Sequence, residues 1–265
     1  MIVATGHSED LDSADAIEEA LDQCAEALGE KTPQAGLLFA GLDHDHQALL
    51  DGTEARYPGL QLIGCTTHGE LSSEGFAEDS VALMLFHSER VQFRAGVGER
   101  IRTNPEAARE AVSMAADGLD APVRLCIALP EGVGDLDSPG TIPLGLIDAL
   151  GAALGPEAVV CGGLAADQTR FTGTYQFCNG RVYSDALPIL LFAGPLHVAT
   201  GIASGWEPVG EEHRLTSVDG MVIGAWTTIR GHPISAPCPR ATTRGGRPTN
   251  SLSAPRPTSG ATGAW

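Results

Sequence analysis

The acidic residues of this 265-residue chain stop abruptly, and the stop divides the sequence into two unlike parts. All 34 aspartates and glutamates lie at or before Asp219, so residues 1–222, with 11 basic side chains, carry a net charge of −23. Residues 223–265 hold five arginines and no acid, with six prolines, six glycines and only four isoleucines or leucines. So little aliphatic surface does not offset the entropy of ordering a chain. We therefore expect one folded domain over residues 1–222 and a disordered basic tail over 223–265.

Charge and cysteine content limit the partners and the compartment. A net charge of −18 argues against nucleic acid, whose affinity for proteins comes largely from Lys and Arg, and disfavours anionic membrane surfaces. No apolar run approaches the roughly 18 residues of a membrane-spanning helix, and no signal peptide precedes the first acidic segment. The six cysteines form no C-x-x-C pair, which is typical of reduced thiols. These features predict an acidic cytoplasmic protein without membrane or nucleic-acid partners.

The order of apolar segments predicts an α/β fold with mixed sheets and flanking helices. Apolar residues recur at helical spacing from Ser13, which we expect to cap the helix, to Gly29, which we expect to end it. Strands at 35–40 and 60–63 enclose a helix at 44–56 as a βαβ unit. The pattern further predicts a hairpin of strands 80–86 and 91–97, a helix capped by Asn104, strands at 123–129, 158–161, 174–178, 186–193 and 197–202, and a helix at 144–154.

The strand and helix order starts again after the first hundred residues. Gly64, Phe86 and Gly96 correspond in this order to Gly162, Phe192 and Gly201. We interpret the repetition as two pseudo-symmetric halves, each a βαβ unit plus a hairpin. The alternative is that α/β chains repeat strand–helix order by chance.

Small and hydroxyl residues follow the buried strand that ends near residue 63. Ligands usually bind at strand ends of α/β sheets, where free backbone N–H groups converge. We therefore predict ligand contacts from Gly64, Cys65, Thr66, Thr67, Gly69 and Glu70. A purely structural role is the alternative: the glycines permit a sharp turn and the threonines bond nearby backbone.

A second strand ends in glycines and a carboxylate, at Gly162, Gly163 and Asp167. If the halves are pseudo-symmetric, the two loops face one cleft. Glu70 and Asp167 then present negative charge to a cationic or zwitterionic small molecule. Neither loop has the pattern of a phosphate-binding loop, and the chain has a single lysine, Lys31.

Three other clusters have ordinary explanations. Asp43-His44-Asp45-His46 has metal-binding side chains, but neighbours at a helix start point in different directions, so we predict no metal. Cys65 and His68 are close in sequence, yet nothing indicates an activated thiol, so no catalytic residue is assigned. A histidine near an apolar strand is usually structural, although haem iron remains an alternative at any of His87, His197 and His213.

Several ordered motifs together resemble the N-terminal domain of FIST proteins, the F-box and intracellular signal transduction family. They are Ile63-Gly-Cys-Thr-Thr-His-Gly-Glu70, the strand Val81-Ala-Leu-Met-Leu, the loop Gly162-Gly-Leu-Ala-Ala-Asp167 with Phe171, Asn179-Gly-Arg-Val, and the closing segment Gly205-Trp-Glu-Pro-Val-Gly210. The predicted ligand contacts occupy the matching motif positions, whereas His68 stands where a small residue is expected.

The resemblance implies a bacterial sensory module, not an enzyme, that binds a small molecule such as an amino acid without a cofactor. Implied partners are a histidine kinase, a cyclic-di-nucleotide enzyme or a chemotaxis receptor. Some relatives are described as haem-based nitric oxide sensors, so a haem sensor is one alternative function and a thiol-dependent enzyme another. In the family a second domain begins near residues 215–220, where this chain instead enters the acid-free segment. We interpret that change as a frameshifted or truncated remnant; the alternative is a natural basic tail that binds an acidic partner.

Overall fold

The computed structural model describes residues 1–132, 145–201, 203, 207–210, 212–219 and 222–228. Within them the chain forms four helices, α1 (Ser13–Leu28), α2 (His46–Arg56), α3 (Ala107–Ala116) and α4 (Leu146–Leu154). The strands are β1 (Ile2–Ser8), β2 (Ala35–Ala40), β3 (Gln61–Thr66), β4 (Glu70–Ser72), β5 (Gly75–Ala77), β6 (Val81–His87), β7 (Gln92–Glu99), β8 (Val123–Ala128), β9 (Val159–Gly162), β10 (Gln176–Cys178), β11 (Arg181–Tyr183), β12 (Ala186–Ala193), β13 (His213–Asp219) and β14 (Val222–Thr228). The predicted α/β class with mixed sheets is confirmed.

Two mixed sheets carry the fold of residues 1–202. The six-stranded sheet has the order β1-β6-β2-β3-β10-β11, and the four-stranded sheet has the order β7-β12-β8-β9. In each sheet one pair is parallel, β2 with β3 and β8 with β9, and the other pairs are antiparallel. A helix joins the strands of each parallel pair, α2 in the first and α4 in the second, so both pairs are βαβ units.

The first four strands of the six-stranded sheet and the whole four-stranded sheet share one topology. In the order β1-β6-β2-β3, strand β6 pairs antiparallel on both sides, and β12 does the same in β7-β12-β8-β9. Gly64 and Gly162 lie in the matching strands β3 and β9, and Phe86 and Phe192 in β6 and β12. This is a correspondence of topology, and pseudo-symmetry of the two halves stays a prediction.

The core fills three layers of apolar contact. One cluster lies between α1, α2 and the six-stranded sheet, another between α3, α4 and the four-stranded sheet, and a third joins the two sheets. β12 shows why its sequence is apolar throughout: Leu187, Ile189 and Leu191 pack toward the helices, while Leu190 and Phe192 pack toward the other sheet. The order of layers is therefore helices, sheet, sheet, helices.

Three phenylalanines hold the sheets together at the centre of the middle layer. Phe86 of the six-stranded sheet lies 5.3 Å, ring centroid to centroid, from Phe192 of the four-stranded sheet, in an edge-to-face arrangement. Phe192 meets Phe93 at 5.1 Å, also edge to face. Such ring pairs stabilise a core beyond their area burial.

Strand pairing differs from the sequence prediction at one connection. The predicted hairpin of strands 80–86 and 91–97 is wrong, because β6 pairs with β1 and β2 while β7 pairs with β12. The connection between them carries the chain from one sheet to the other. The predicted strand at 197–202 is also wrong for residues 197–201, which form no regular element, and Ile202 lies outside the described residues.

The cap of the first helix is a second difference. Asp12, not Ser13, is the N-cap of α1, since its carboxylate accepts hydrogen bonds from the N–H groups of Ala14 and Asp15. Ser13 Oγ instead accepts from Asp45 N at 2.9 Å. The predicted cap of α3 is also wrong: Glu106, not Asn104, is its N-cap and makes no side-chain capping bond, while Asn104 Oδ1 accepts from Glu106 N in the turn before the helix.

The chain divides into two compact units, Met1–Ile202 and Ala203–Trp265. In the second unit β13 and β14 form an antiparallel hairpin. β14 runs across the predicted boundary at residue 222, so residues 223–228 of the acid-free segment lie in a strand. The prediction of disorder for residues 229–265 falls outside the described residues, as do residues 205 and 206 of the predicted closing segment. Each helix of the described chain is too short or too polar to cross a bilayer.

Candidate functional site

The first predicted loop leaves the carboxyl end of β3 beside its parallel neighbour. Thr67 N donates to the carbonyl of Ala40, the last residue of β2, at 3.1 Å, and Thr66 N donates to Tyr175 O at 3.0 Å. Gly64 lies inside the sheet, where a Cβ would stand 2.0 Å from Leu38 O. Gly69 is equally constrained, since a Cβ there would stand 2.6 Å from the ring of Phe76. Both glycines are therefore required by close backbone or ring approach.

Glu70 is buried, with 2% of its surface exposed. One carboxylate oxygen accepts from the hydroxyl of Thr67 and the other from the hydroxyl of Ser80. Thr67 Oγ1 in turn accepts from Gly69 N at 3.1 Å. The carboxylate therefore stabilises the turn through internal hydrogen bonds. The sequence led us to expect that it presents its charge to a ligand, but its oxygens are buried.

The second loop leaves the carboxyl end of β9 in the four-stranded sheet. At Gly162, whose φ is +151°, a Cβ would stand 1.8 Å from Ala128 O of the neighbouring strand. Gly163 is exposed, and a Cβ there would meet open space. Asp167 is 1% exposed, and its Oδ2 accepts from Thr172 N at 2.8 Å and Gly173 N at 3.3 Å. This carboxylate also serves its own loop.

The two loops meet through one backbone hydrogen bond. Ala166 N in the second loop donates to Thr66 O in the first at 2.8 Å. Ala165 N donates to Pro130 O, just past the end of β8. The carboxyl ends of both parallel strand pairs thus lie close together. The nine predicted site residues come from these strand ends and from the two loops, which are in contact.

Side chains that sequence reasoning missed tie the second loop to the first half. Arg170 donates from both terminal nitrogens to the carboxylate of Asp43, each at 2.6 Å, and Gln168 Nε2 donates to Asp79 Oδ1 at 2.5 Å. The Arg170 guanidinium holds the pKa of Asp43 below its ordinary value. The partners lie 127 and 89 residues apart in sequence, so no local pattern indicates either contact.

Backbone geometry marks the same segment. Gln168, Thr169 and Phe171 have φ values of 55°, 61° and 55°, and Asp79 has 53°. Non-glycine residues in the left-handed region cost free energy and cluster at binding sites and switch regions. The loop is therefore held in a strained conformation by its contacts with Asp43 and Asp79.

The residues of the Asp43–His46 cluster each have a different partner. Asp43 pairs with Arg170, and Asp45 caps α2 by accepting from Gln47 N and Ala48 N. His44 bonds Ser13 Oγ and Asp79 O, while His46 Nε2 bonds Gly41 O. Burial lowers the pKa of His46, which favours its neutral form. Across the described residues, no group of three or more His, Cys, Asp or Glu side chains converges as a metal site.

The Cys65 thiol packs in the core between the sheets with 2% of its surface exposed. Burial, and to a lesser extent the negative charge of Glu70, raises its pKa to about 12. A thiol with this pKa is protonated at neutral pH and is a poor nucleophile. His68 is exposed on the following turn. These properties give no support to a thiol-dependent enzyme.

The histidines considered for haem lie in three separate places. His87 Nδ1 bonds the carbonyl of Thr32 at 2.7 Å, His197 is exposed after β12, and His213 is exposed on β13. None of these contacts supports the haem alternative.

Two surface concavities lie away from the joined loops. One of about 450 Å³ follows the outer face of α1 between Asp15 and Glu26, and one of about 320 Å³ lies near Lys31, His87 and Leu196. Neither is lined by residues of the two loops.

Comparison with known proteins identifies the family. A model of the FIST N domain matches residues 34–225. Two uncharacterized proteins from Mycobacterium tuberculosis strains are each 26% identical over 236 residues, which cover 88% of this chain and 57% of each relative, so the chain spans little more than half of their length. A cyanuric acid hydrolase from A. caulinodans shares 13% identity over 74% of this chain and 71% of its own, with a TM-score of 0.35, too low to bear on function. The chain belongs to the FIST N domain family of sensory domains in signal transduction.

Proposed function

We propose that this chain binds a zwitterionic small molecule, an amino acid, at the two joined loops and signals the occupancy of this site to a partner protein. The observation that carries the proposal is the hydrogen bond from Ala166 N to Thr66 O, which joins strand-end loops of two different sheets. A ligand that contacts both loops changes the relation between the sheets. The partner classes are those expected of the family: a histidine kinase, a cyclic-di-nucleotide enzyme or a chemotaxis receptor.

The charges at the loops suit a zwitterion. Arg170 and Asp43 form an exposed pair beside the loops, with 41% and 65% of their side-chain surface exposed. An amino acid carries the same two charges, a carboxylate for the guanidinium and an ammonium group for Asp43. Two exposed apolar side chains follow Arg170 in the chain: Phe171 and Tyr175 are 54% and 42% exposed. Together they offer charge for the backbone of an amino acid and apolar surface for its side chain.

Signalling then follows from population shift. A ligand shifts an equilibrium only by its difference in affinity for two conformations. Exchange of the Asp43–Arg170 pair for contacts with the ligand releases the strained segment of Gln168 to Phe171, and the partner distinguishes the two loop conformations.

Thermal unfolding in the presence of each of the common amino acids tests the proposal. A ligand at 100 times its dissociation constant stabilises the folded state by about 2.7 kcal/mol. In the Arg170→Ala variant this stabilisation is lost. The matched control is Arg124→Ala, which removes another surface arginine, paired with Glu157 at 2.9 Å and lying near the amino end of β8, whereas the loops follow the carboxyl ends of the strands. If no amino acid raises the unfolding temperature, or if Arg170→Ala leaves the effect intact, the proposed site is wrong.

A further inference from the structure

The outer edge of β9 carries no strand within the part of the chain that the structure describes. Within the described chain β9 pairs with β8 on one side and with no strand on the other. Natural proteins protect sheet edges with charge, proline, bulges or a covering segment. Residues 158–166 (Ala-Val-Val-Cys-Gly-Gly-Leu-Ala-Ala) contain neither a charged residue nor a proline, although the chain as a whole carries −18. Cys161 and Gly162 are exposed on this edge.

The other sheet edges differ from β9. Arg94 and Glu99 are exposed along β7, and β11 has three residues with Arg181 exposed. β1 has no charged side chain, but Glu74 from the turn between β4 and β5 lies 3.9 Å from its His7. Charge at or beside these three edges disfavours pairing with a further strand.

The corresponding strand of the six-stranded sheet shows what such an edge accepts. The edge of β3 opposite β2 is occupied by β10, which pairs antiparallel with Phe177 opposite Gly64. Gly162 stands in β9 where Gly64 stands in β3, since each lies against a carbonyl of the parallel neighbour, Ala128 O or Leu38 O. Among the described strands, none occupies the same edge in the four-stranded sheet, where an antiparallel strand would fit as β10 does.

The helix beside this edge is also short of charge. α4 joins β8 to β9 and carries one charged residue, Asp148, while its Ile147 is 54% exposed. Leu164, just past β9, is 50% exposed. By contrast α1 exposes Asp15, Glu18 and further acids on its outer face. The edge strand and its helix therefore form one uncharged, partly apolar surface, which we call the β9 surface: β9, α4 and Leu164.

We propose that the β9 surface is the interface with a second copy of this chain, in which β9 pairs antiparallel with the partner's β9 about a two-fold axis and α4 packs against its counterpart. Two copies of this chain, each with a net charge of −23 over residues 1–222, repel each other over most of their surfaces. The β9 surface is where they approach without like-charge contact. A two-fold axis presents the same surface from both sides, and an antiparallel strand pair has this symmetry.

Analytical ultracentrifugation of the full chain measures the dimer directly. Cys161→Lys places two lysines at the seam and Ile147→Lys two more between the helices, so each weakens dimerisation about tenfold or more, which is about 1.4 kcal/mol. Thr5→Lys, on the exposed face of β1, is the matched control and leaves the dissociation constant unchanged. Circular dichroism and the unfolding temperature of each variant establish that it is folded.

Crosslinking locates the seam. In a Cys238→Ser chain, Cys161 is the exposed cysteine of the described residues, because the other four are buried. A short bismaleimide should then give a covalent dimer that Cys161→Ser abolishes. A chain that is monomeric at every accessible concentration overturns the proposal. So does a dimer that survives both lysine substitutions or fails to crosslink at Cys161.

Discussion

The two halves of the body share one strand order but complete their third strands differently. In the first half, β3 is buried between β2 and β10, and Cys65 packs in the core between the sheets. In the second half, β9 pairs only with β8 among the described strands, and Cys161 is exposed. The difference arises because the hairpin β10–β11, which lies between β9 and β12 in the sequence, adds to the sheet of the first half. The same strand order thus gives a third strand with both edges paired, β3, and a third strand with one edge unpaired among the described strands, β9.

The reactivities of the Cys65 thiol in β3 and the Cys161 thiol in β9 should show the largest contrast between the two halves. Burial raises the pKa of Cys65 to about 12, and a thiol reacts as its thiolate. At neutral pH this pKa leaves about a thousandfold less thiolate than a pKa near 9. Cys161 is exposed, although partial burial raises its pKa also. In the monomer we expect Cys161 to react with a maleimide much faster than Cys65, because Cys161 is exposed and the pKa of Cys65 is raised to about 12 by burial.

Peptide mass spectrometry after brief labelling of the native protein measures both rates. Cys126, buried in the second half with a pKa of about 12, is the control and should be as slow as Cys65. Because more thiolate forms as pH rises, the rate at Cys65 should climb through the alkaline range and not level off below about pH 12. Equal labelling rates at Cys65 and Cys161 would show that the thiol in β3 is as accessible as the thiol in β9.

Substitution of the two matching glycines should separate the halves by stability. A Cβ at Gly64 would stand 2.0 Å from Leu38 O and 2.8 Å from the ring of Phe177, so both neighbouring strands must move. We expect Gly64→Ala to lower the free energy of unfolding by about 4 kcal/mol. Gly162 also faces a carbonyl, at 1.8 Å, but β9 can shift outward, so Gly162→Ala should cost about 2 kcal/mol.

Urea denaturation followed by circular dichroism measures both values. Gly163→Ala is the control, because a Cβ there meets open space and its φ is not positive, so the change should be within about 0.5 kcal/mol. A Gly162→Ala variant as unstable as Gly64→Ala would mean that β9 is confined on its outer side as well.

Local sequence patterns predicted the elements better than their pairing. Helix α1 and strands β2 and β12 lie where periodicity placed them, because each buries its own apolar residues. The hairpin of β6 and β7 was wrong because an apolar strand has no local signal for its partner, and β6 fits between β1 and β2. At the loops, sequence reasoning found Glu70 and Asp167 but not their internal hydrogen bonds, which depend on Ser80 and on the turn after Arg170.

The smallest expected contrast concerns these two carboxylates. Both oxygens of Glu70 accept from hydroxyls, those of Thr67 and Ser80, whereas among the described residues Asp167 accepts through Oδ2, from two backbone N–H groups. In Glu70→Gln the new NH2 group faces a hydroxyl that must reverse its role in a buried site, so the free energy of unfolding should fall by about 2 kcal/mol. In Asp167→Asn the amide oxygen can occupy the position of Oδ2, so only the charge is lost and the cost should be about 1 kcal/mol.

Asp167→Ala decides whether this reasoning holds. It leaves the N–H groups of Thr172 and Gly173 without their acceptor and should therefore cost about 2 kcal/mol or more, clearly above Asp167→Asn, in the same urea experiment. Equal losses for Asn and Ala would mean that charge, and not the two hydrogen bonds, is what the second loop needs. In that case Asp167 would act on charges around the loop, and Arg170 is a candidate because its pKa is raised mainly by the hydrogen bond to Asp43 and to a lesser extent by the charge of Asp167. A larger loss of stability for Glu70→Gln than for Asp167→Asn indicates that hydroxyl groups hold the first turn, whereas backbone N–H groups hold the second.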